Sequence, residues 1–358
     1  MKQTLYNKDK SRRITMSLTI YDISEKAGVS IATVSRVLNN SNNVSEKTRQ
    51  KVLDVMEANG YTPNVFARGL GLDTMKTIGI LCADSSDLYL AKAVYYLERF
   101  LRQNSYDTIL CCTGYEPEYK KKSMELLLSK RVDGVILCGS NFLHEKDEDN
   151  EYIRQAAKQL PVMMLNADFD YENVYSCFCD DHRSMVNATR TMVASGHKDI
   201  LYLYNSDTAS GKRKLSGVIA GLEMAGLPVR AEYQQFYGGS HENIDEMVAF
   251  IQKLADGGLT FNGIIAADDA LGLAAVKYAR SAGLCIPKDL AVIGYNNSLL
   301  AKCCDPELSS IDNQLENLCQ TLIHNLIQVL NGETTPQKSI FNGELIERGT
   351  TLSPKADS

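Results

Sequence analysis

No run of apolar residues in this 358-residue chain approaches the ~20 needed to span a bilayer. The basic amino terminus, MKQTLYNKDKSRRIT, has no apolar stretch behind it, so it does not read as a secretory signal. Both absences favour the cytoplasm. Catalytic motifs are missing too: there is no G-x-S-x-G, no Walker loop and no G-x-G-x-x-G. The five histidines, His144, His182, His197, His241 and His324, fall in no triad or metal pattern. GLGLD around Gly69 resembles a glycine loop only superficially, because no strand precedes it. An enzyme is therefore not expected, and neither is a cofactor or metal. Repeats of solenoid period and low-complexity segments are absent as well.

The ten cysteines form no disulfide framework. Cys111–Cys112 and Cys303–Cys304 are adjacent pairs, and Cys82, Cys138, Cys285 and Cys319 sit singly in apolar surroundings. Such residues are expected as reduced thiols that pack as small hydrophobes. Cys177-x-Cys179-x-x-His182 has metal-like spacing but no evident fourth ligand, and alternation in a strand already accounts for the C-x-C.

Charge is unevenly placed. Residues 1–76 carry 12 Lys and Arg against 7 Asp and Glu, a net of +5 within an overall −6, so the remainder carries −11. A basic head on an acidic body points to a polyanionic partner for the head alone.

Within that head, residues 19–60 read as three short helices. TIYDISEKAG carries Ile20, Ile23 and Ala27 on one face and stops at Gly28. SIATVSRVLNN starts at Ser30, a good N-cap, with Val34, Val37 and Leu38 as its buried stripe. SEKTRQKVLDVMEANG opens on Ser45 and turns Val52, Val55 and Met56 inward before Gly60. Two helices joined through Ala27-Gly28-Val29 make a helix-turn-helix unit. The second helix presents Ser30, Ile31, Ala32, Thr33, Ser35, Arg36 and Asn39 where a solvated helix would favour Glu and Lys. Small residues allow close approach, hydroxyls and amides reach phosphates, and an arginine addresses guanine. That surface suits the DNA major groove.

From Thr77 the rhythm becomes strand–helix alternation. TIGILCA, TILCC, GVILCG and PVMMLN read as buried strands, separated by helices near 88–103, 117–130 and 147–159. A second set follows, YSCFC, ILYLY, GIIAA and LAVIGY, with helices near 182–195, 211–225, 243–256 and 270–283. This pattern implies an α/β body of two parallel sheets covered on both faces. Between head and body, the Val65–Leu70 segment has helical character weakened by Gly69 and Gly71, each costing ~1 kcal/mol against Ala. So brief a helix is unstable alone.

Taken together, TIYDISEKAGVSIATVSRVLN, VSEKTRQKV, GYTPNVFARGL, ASGHKDILYL, AGLCIPKDLAVIGYNN and ERGTT resemble the lactose/galactose repressor family of bacterial transcription regulators, from Thr19 to Leu352. The resemblance implies a small all-α helix-turn-helix head on a core of two doubly wound lobes, similar to periplasmic binding proteins. It divides the chain into a basic extension at 1–15, the head at 16–62, a hinge helix at 63–75, a core at 76–352 and a tail at 353–358. The N-lobe would span about 76–174 with a return near 306–336, and the C-lobe about 175–305 with the chain's end. Translation would start at Met1 or Met16.

In function, the resemblance implies a repressor that binds a near-palindromic operator in double-stranded DNA as a homodimer. Ile31, Ala32 and Arg36 would face bases. Thr19, Tyr21, Ser30, Thr33, Ser35, Asn39, Ser45, Thr48 and Asn64 would anchor phosphates or support those anchors. From the hinge, Leu70 would wedge into the minor groove, with Ala67 beside it on the DNA side. A small-molecule effector would sit between the lobes, at the carboxyl ends of the strands, against Asp84, Tyr89, Asn166, Ser210, Lys214, Ala267, Asp268 and Asn296.

Three of these positions depart from the sugar-binding pattern: Lys214 replaces an arginine, Ala267 an asparagine and Asn296 an aspartate. A lysine lacks the guanidinium fork that holds two hydroxyls. The departures fit a decorated sugar, a sugar phosphate or another anionic metabolite paired with Lys214, or no effector at all. Alternatively Arg213 turns into the site. Control by a protein partner and a solute-binding role are the remaining alternatives. With no leucine-heptad tail after ERGTT, a dimer is expected rather than a tetramer.

Overall fold

The computed structural model describes residues 18–38, 43–61, 74–240 and 242–352. The expected roles of Asn39, Asn64, Ala67 and Leu70, the 1–15 extension and the 353–358 tail lie outside them. The chain divides into two compact units, Met1–Met75 and Lys76–Ser358.

The first unit contains α1 (Ile20–Ala27), α2 (Ile31–Leu38) and α3 (Glu46–Ala58). A capping box starts α1: Asp22 N–H donates to Thr19 Oγ1 at 3.4 Å, and Thr19 N–H donates to Asp22 Oδ2 at 2.7 Å. These bonds with Thr19 hold the Asp22 carboxyl below its ordinary range. Gly28 ends the helix at φ +59°, the left-handed conformation that favours glycine. Ser30 and Ser45 cap α2 and α3 through the N–H groups of Thr33 and Thr48. Ile23, Ala27, Val34, Val37, Val52 and Met56 close a core of their own.

The second unit holds two six-stranded sheets. In chain order its elements are β1 (Thr77–Cys82), α4 (Leu88–Gln103), β2 (Asp107–Cys112), α5 (Pro117–Ser129), β3 (Gly134–Cys138), α6 (Glu151–Ala157), β4 (Val162–Leu165) and β5 (Val174–Cys179). Then come α7 (Asp181–Ala194), β6 (Ile200–Tyr204), α8 (Ala209–Met224), β7 (Gln234–Phe236), α9 (Ile244–Asp256), β8 (Gly263–Ala266) and α10 (Asp269–Ser281). The chain finishes with β9 (Ala291–Tyr295), α11 (Leu299–Cys303), β10 (Ser309–Asp312), α12 (Leu315–Leu330), β11 (Lys338–Phe341) and β12 (Glu344–Ile346). The first sheet runs β11-β5-β4-β3-β1-β2 and is parallel throughout. The second runs β12-β10-β9-β8-β6-β7, with only β12 antiparallel.

Three expectations shift. YSCFC, read as opening the second set, is β5 of the first sheet, paired with β4 from Val162↔Val174 to Leu165↔Cys177. The chain therefore leaves the N-lobe between Cys179 and Asp181, not at 174/175. The return also moves, because β10 stays in the second sheet beside β9 and only α12 and β11 rejoin the first. A strand's partner is not written in its own hydrophobic run, so the pattern places strands but not their sheet. TILCC was expected to be buried, yet β2 is an edge strand with Leu110 41% exposed. The sequence reading named neither β7, β10, β11 and β12 nor α12.

Candidate functional site

On the head, Ser30, Ile31, Ala32 and Arg36 are exposed along the leading edge of α2, while Val34 and Val37 are buried beneath them. Thr33 and Ser35 lie half-buried at the margin. The Ser30 and Thr33 hydroxyls share a 2.9 Å hydrogen bond, as do those of Ser45 and Thr48. Capping thus fixes the direction of hydroxyls expected at phosphates. Thr19 differs, since its hydroxyl donates to Asp22 Oδ2 at 2.7 Å and accepts from Asp22 N–H. It starts the helix and has no proton left to offer. Tyr21 is 66% exposed.

In the body, a cleft of about 420 Å³ opens where the strands of both sheets end. Tyr89, Asn166, Ser210, Lys214, Ala267, Asp268 and Asn296 line it. Asp84 does not; its Oδ1 accepts from Ser86 N–H at 2.9 Å and Ser86 Oγ at 2.8 Å, folding the carboxylate into its own loop. Asp87, three residues on, takes the place at the wall and caps α4 through Leu90 N–H at 2.8 Å. Sequence reasoning also missed Tyr115, Asn141, Asn205, Asp207 and Thr208. Each follows a strand closely, and that position was the available signal.

Lys214 rises from α8 into the cleft. Its Nζ donates to Ala267 O at 2.9 Å and lies 3.7 Å from the centre of the Tyr295 ring. Burial pushes the ammonium below its ordinary pKa, while Asp181 and Asp268 counteract the shift. With one N–H on a carbonyl and another toward an aromatic face, a single donor remains for a ligand. Arg213 turns the other way, to Asp181 Oδ2 at 3.3 Å and over the Phe178 ring. The alternative in which Arg213 turns into the site is therefore not what the structure has, and among the described residues no guanidinium lines the cleft.

The C-lobe wall is tied down. Asp268 Oδ1 caps α10 at Leu271 N–H, and Oδ2 accepts from Asn205 Nδ2 at 2.6 Å. Asn296, at φ +95°, accepts from Asn313 Nδ2 at 3.0 Å. The N-lobe wall is less satisfied. The Tyr89 hydroxyl and both polar atoms of the Asn141 side chain are buried without a partner among the described residues. Burial pushes the Tyr89 phenol well above its ordinary range. Such groups are costly unless a ligand or water takes them. Across the mouth, Ser140 Oγ donates to Thr208 Oγ1 at 2.9 Å and Lys212 pairs with Glu145, joining one lobe to the other.

Beneath Asp268, buried Asp269 braces the loop that carries Asn296. Its Oδ2 accepts from Ser298 N–H and its Oδ1 from Ser310 Oγ, both at 2.6 Å. Burial pushes its pKa up to about 6, against the pull of those donors. A carboxyl raised in the folded state stabilises most below its unfolded pKa, and that contribution is lost as pH rises through 6. Asp269→Asn is expected to remove about 2 kcal/mol of stability change between pH 4 and 7. Urea unfolding of both proteins at several pH values checks this, and an unchanged pH slope would reject it.

Comparison with known proteins agrees with this geometry. Residues 19–64 match the family model for bacterial regulatory proteins, lacI family, and residues 189–351 match a periplasmic binding protein-like domain. An HTH-type transcriptional regulator of Lachnoclostridium phytofermentans is 51% identical over 93% of this chain and 99% of its own. Among solved structures, the lac repressor dimer bound to operator and the anti-inducer ONPF superposes with a TM-score of 0.82, at 25% identity over 94% of this chain and 99% of that one. The transcriptional regulator CelR–cellobiose complex gives 0.67, at 25% identity over 93% and 99%. With identity this high over nearly its whole length, the chain belongs to the lacI family of bacterial regulatory proteins.

Proposed function

We propose that this chain is a cytoplasmic transcriptional repressor, without enzymatic activity. It binds a near-palindromic operator as a homodimer, and a small molecule in the inter-lobe cleft modulates its affinity. The observation that carries the reading is the α2 surface: Ser30, Ile31, Ala32 and Arg36 exposed above a buried Val34–Val37 stripe, in a head that matches the family model. Ile31 and Ala32 suit thymine methyl groups, and Arg36 suits a guanine edge.

For the ligand, the cleft supports a neutral, hydroxylated molecule over an anion. Lys214 has one donor left, and Asp87, Asp207 and Asp268 line the same space. A phosphate would meet more negative than positive charge there. The similarity to a regulator solved with cellobiose points the same way.

Selection of bound duplexes from a random DNA library tests the DNA-binding reading, followed by titration of the selected site with sugars and sugar phosphates. The wild type is expected to enrich a symmetric site, released or tightened by a neutral sugar. Arg36→Ala should lose ~1–3 kcal/mol on that site and relax the preference at one base pair. Equal loss on every sequence would move Arg36 to a phosphate. A wild type with no sequence preference would sink the regulator reading.

A further inference from the structure

Five of the ten cysteines, Cys82, Cys138, Cys177, Cys179 and Cys319, converge in one core between the first sheet, α4 and α12. Packing as small hydrophobes accounts for most of them, but two stand in a closer relation. Cys82 ends β1 and Cys138 ends β3, and the parallel register sets them directly opposite one another. Opposed residues on neighbouring parallel strands point to the same face. Strands ~4.8 Å apart place their Cα atoms inside the ~4.4–6.8 Å window of a disulfide. The Cys138 thiol beside it holds Cys82 below the ordinary thiol range, and the Cys82 thiol together with burial pushes Cys138 well above it. Cys82 is the better nucleophile of the two.

We infer that Cys82 and Cys138 form a reversible dithiol–disulfide site in the floor of the N-lobe, oxidised by a small hydroperoxide. Neither side chain is exposed, so only an oxidant the size of hydrogen peroxide suits the position. The Cys82 thiolate attacks the peroxide O–O bond, an S–O bond forms, and the departing hydroxide takes up a proton as water. The Cys138 sulfur then displaces the hydroxyl group from Cys82, its proton leaving with that oxygen as a second water. Two thiols lose two electrons and two protons, and one peroxide becomes two waters. The site is tied to the cleft by chain continuity. Asp87 and Tyr89 follow Cys82, and Ser140 and Asn141 follow Cys138. Cys82 Sγ lies 3.5 Å from Asp84 O, a contact the thiol proton makes and a disulfide gives up. Oxidation therefore acts on the loop after β1, which carries Asp87 to the N-lobe wall.

The test uses the full-length protein, reduced, freed of reductant and treated with hydrogen peroxide. Free thiols are then alkylated under denaturing conditions and the chain is digested with trypsin. The expected product joins Thr77–Lys92 to Val132–Lys146, lighter by two hydrogens than the reduced pair, and dithiothreitol separates them again. Recovery of both peptides alkylated would overturn the inference. So would a bridge from Cys82 to Cys112, its register neighbour on the other side. In Cys138→Ser, dimedone is expected to capture Cys82 as the sulfenic acid, and an unmodified Cys82 there would remove its role as nucleophile.

Discussion

Asp181→Ala is expected to cost about 3–5 kcal/mol, the range for stranding the partners of a buried charge. The Asp181 side chain is only 2% exposed. Its Oδ1 accepts from the Tyr295 hydroxyl at 2.6 Å, and its Oδ2 accepts from Ser210 Oγ at 2.7 Å and from Arg213 Nη2 at 3.3 Å. Alanine would leave two hydroxyls and a guanidinium group facing an emptied space. The effect reaches the cleft, because Asp181 is the foremost charge opposing the depression of the Lys214 pKa. Without it the burial that depresses the Lys214 pKa is opposed less. Asp181→Asn keeps the shape and one acceptor, so its cost should be about 1–3 kcal/mol. Urea denaturation of the full chain gives the comparison. A change under about 1 kcal/mol in the alanine variant would show that the network contributes little.

That network also marks what could be read in advance. Ser30, Ser45 and Gly28 were legible because a cap is decided within three or four residues, and the hydrogen bonds appear where spacing put them. Lys214 was legible by position, and its lone remaining donor was not, since Ala267 and Tyr295 come from distant strands. The choice between Asp84 and Asp87 turned on where α4 begins. Asp87 caps that helix, and Asp84 is drawn back by Ser86. In DSSDLY both readings of the register fit. Asp181 had no local signal, because Ser210 and Tyr295 reach it from 29 and 114 residues away. The lobe crossing after Cys179 was hidden for the same reason.

Gly217→Ala should destabilise the body, although an isolated helix would gain ~1 kcal/mol from the same change. Gly217 lies on α8 against α7, and a Cβ there would stand 2.3 Å from His182 O and 2.8 Å from Met185 Cβ. One turn later, a Cβ on Gly221 would stand 2.6 Å from Thr189 Cβ. These obstacles are backbone or the first atom of a side chain, so rotamer changes cannot clear them. The helices must part, and overpacking of this kind costs ~1–3 kcal/mol, with Gly217→Val at or above the upper end. α8 also carries Ser210 and Lys214 to the cleft wall, so its displacement should weaken ligand binding along with stability. The sign of the alanine change decides between the two forces. Greater stability in urea would mean that helix propensity dominates and the helices yield cheaply. Lower stability, falling further for valine, would mean that close contact between α7 and α8 sets the position of Lys214.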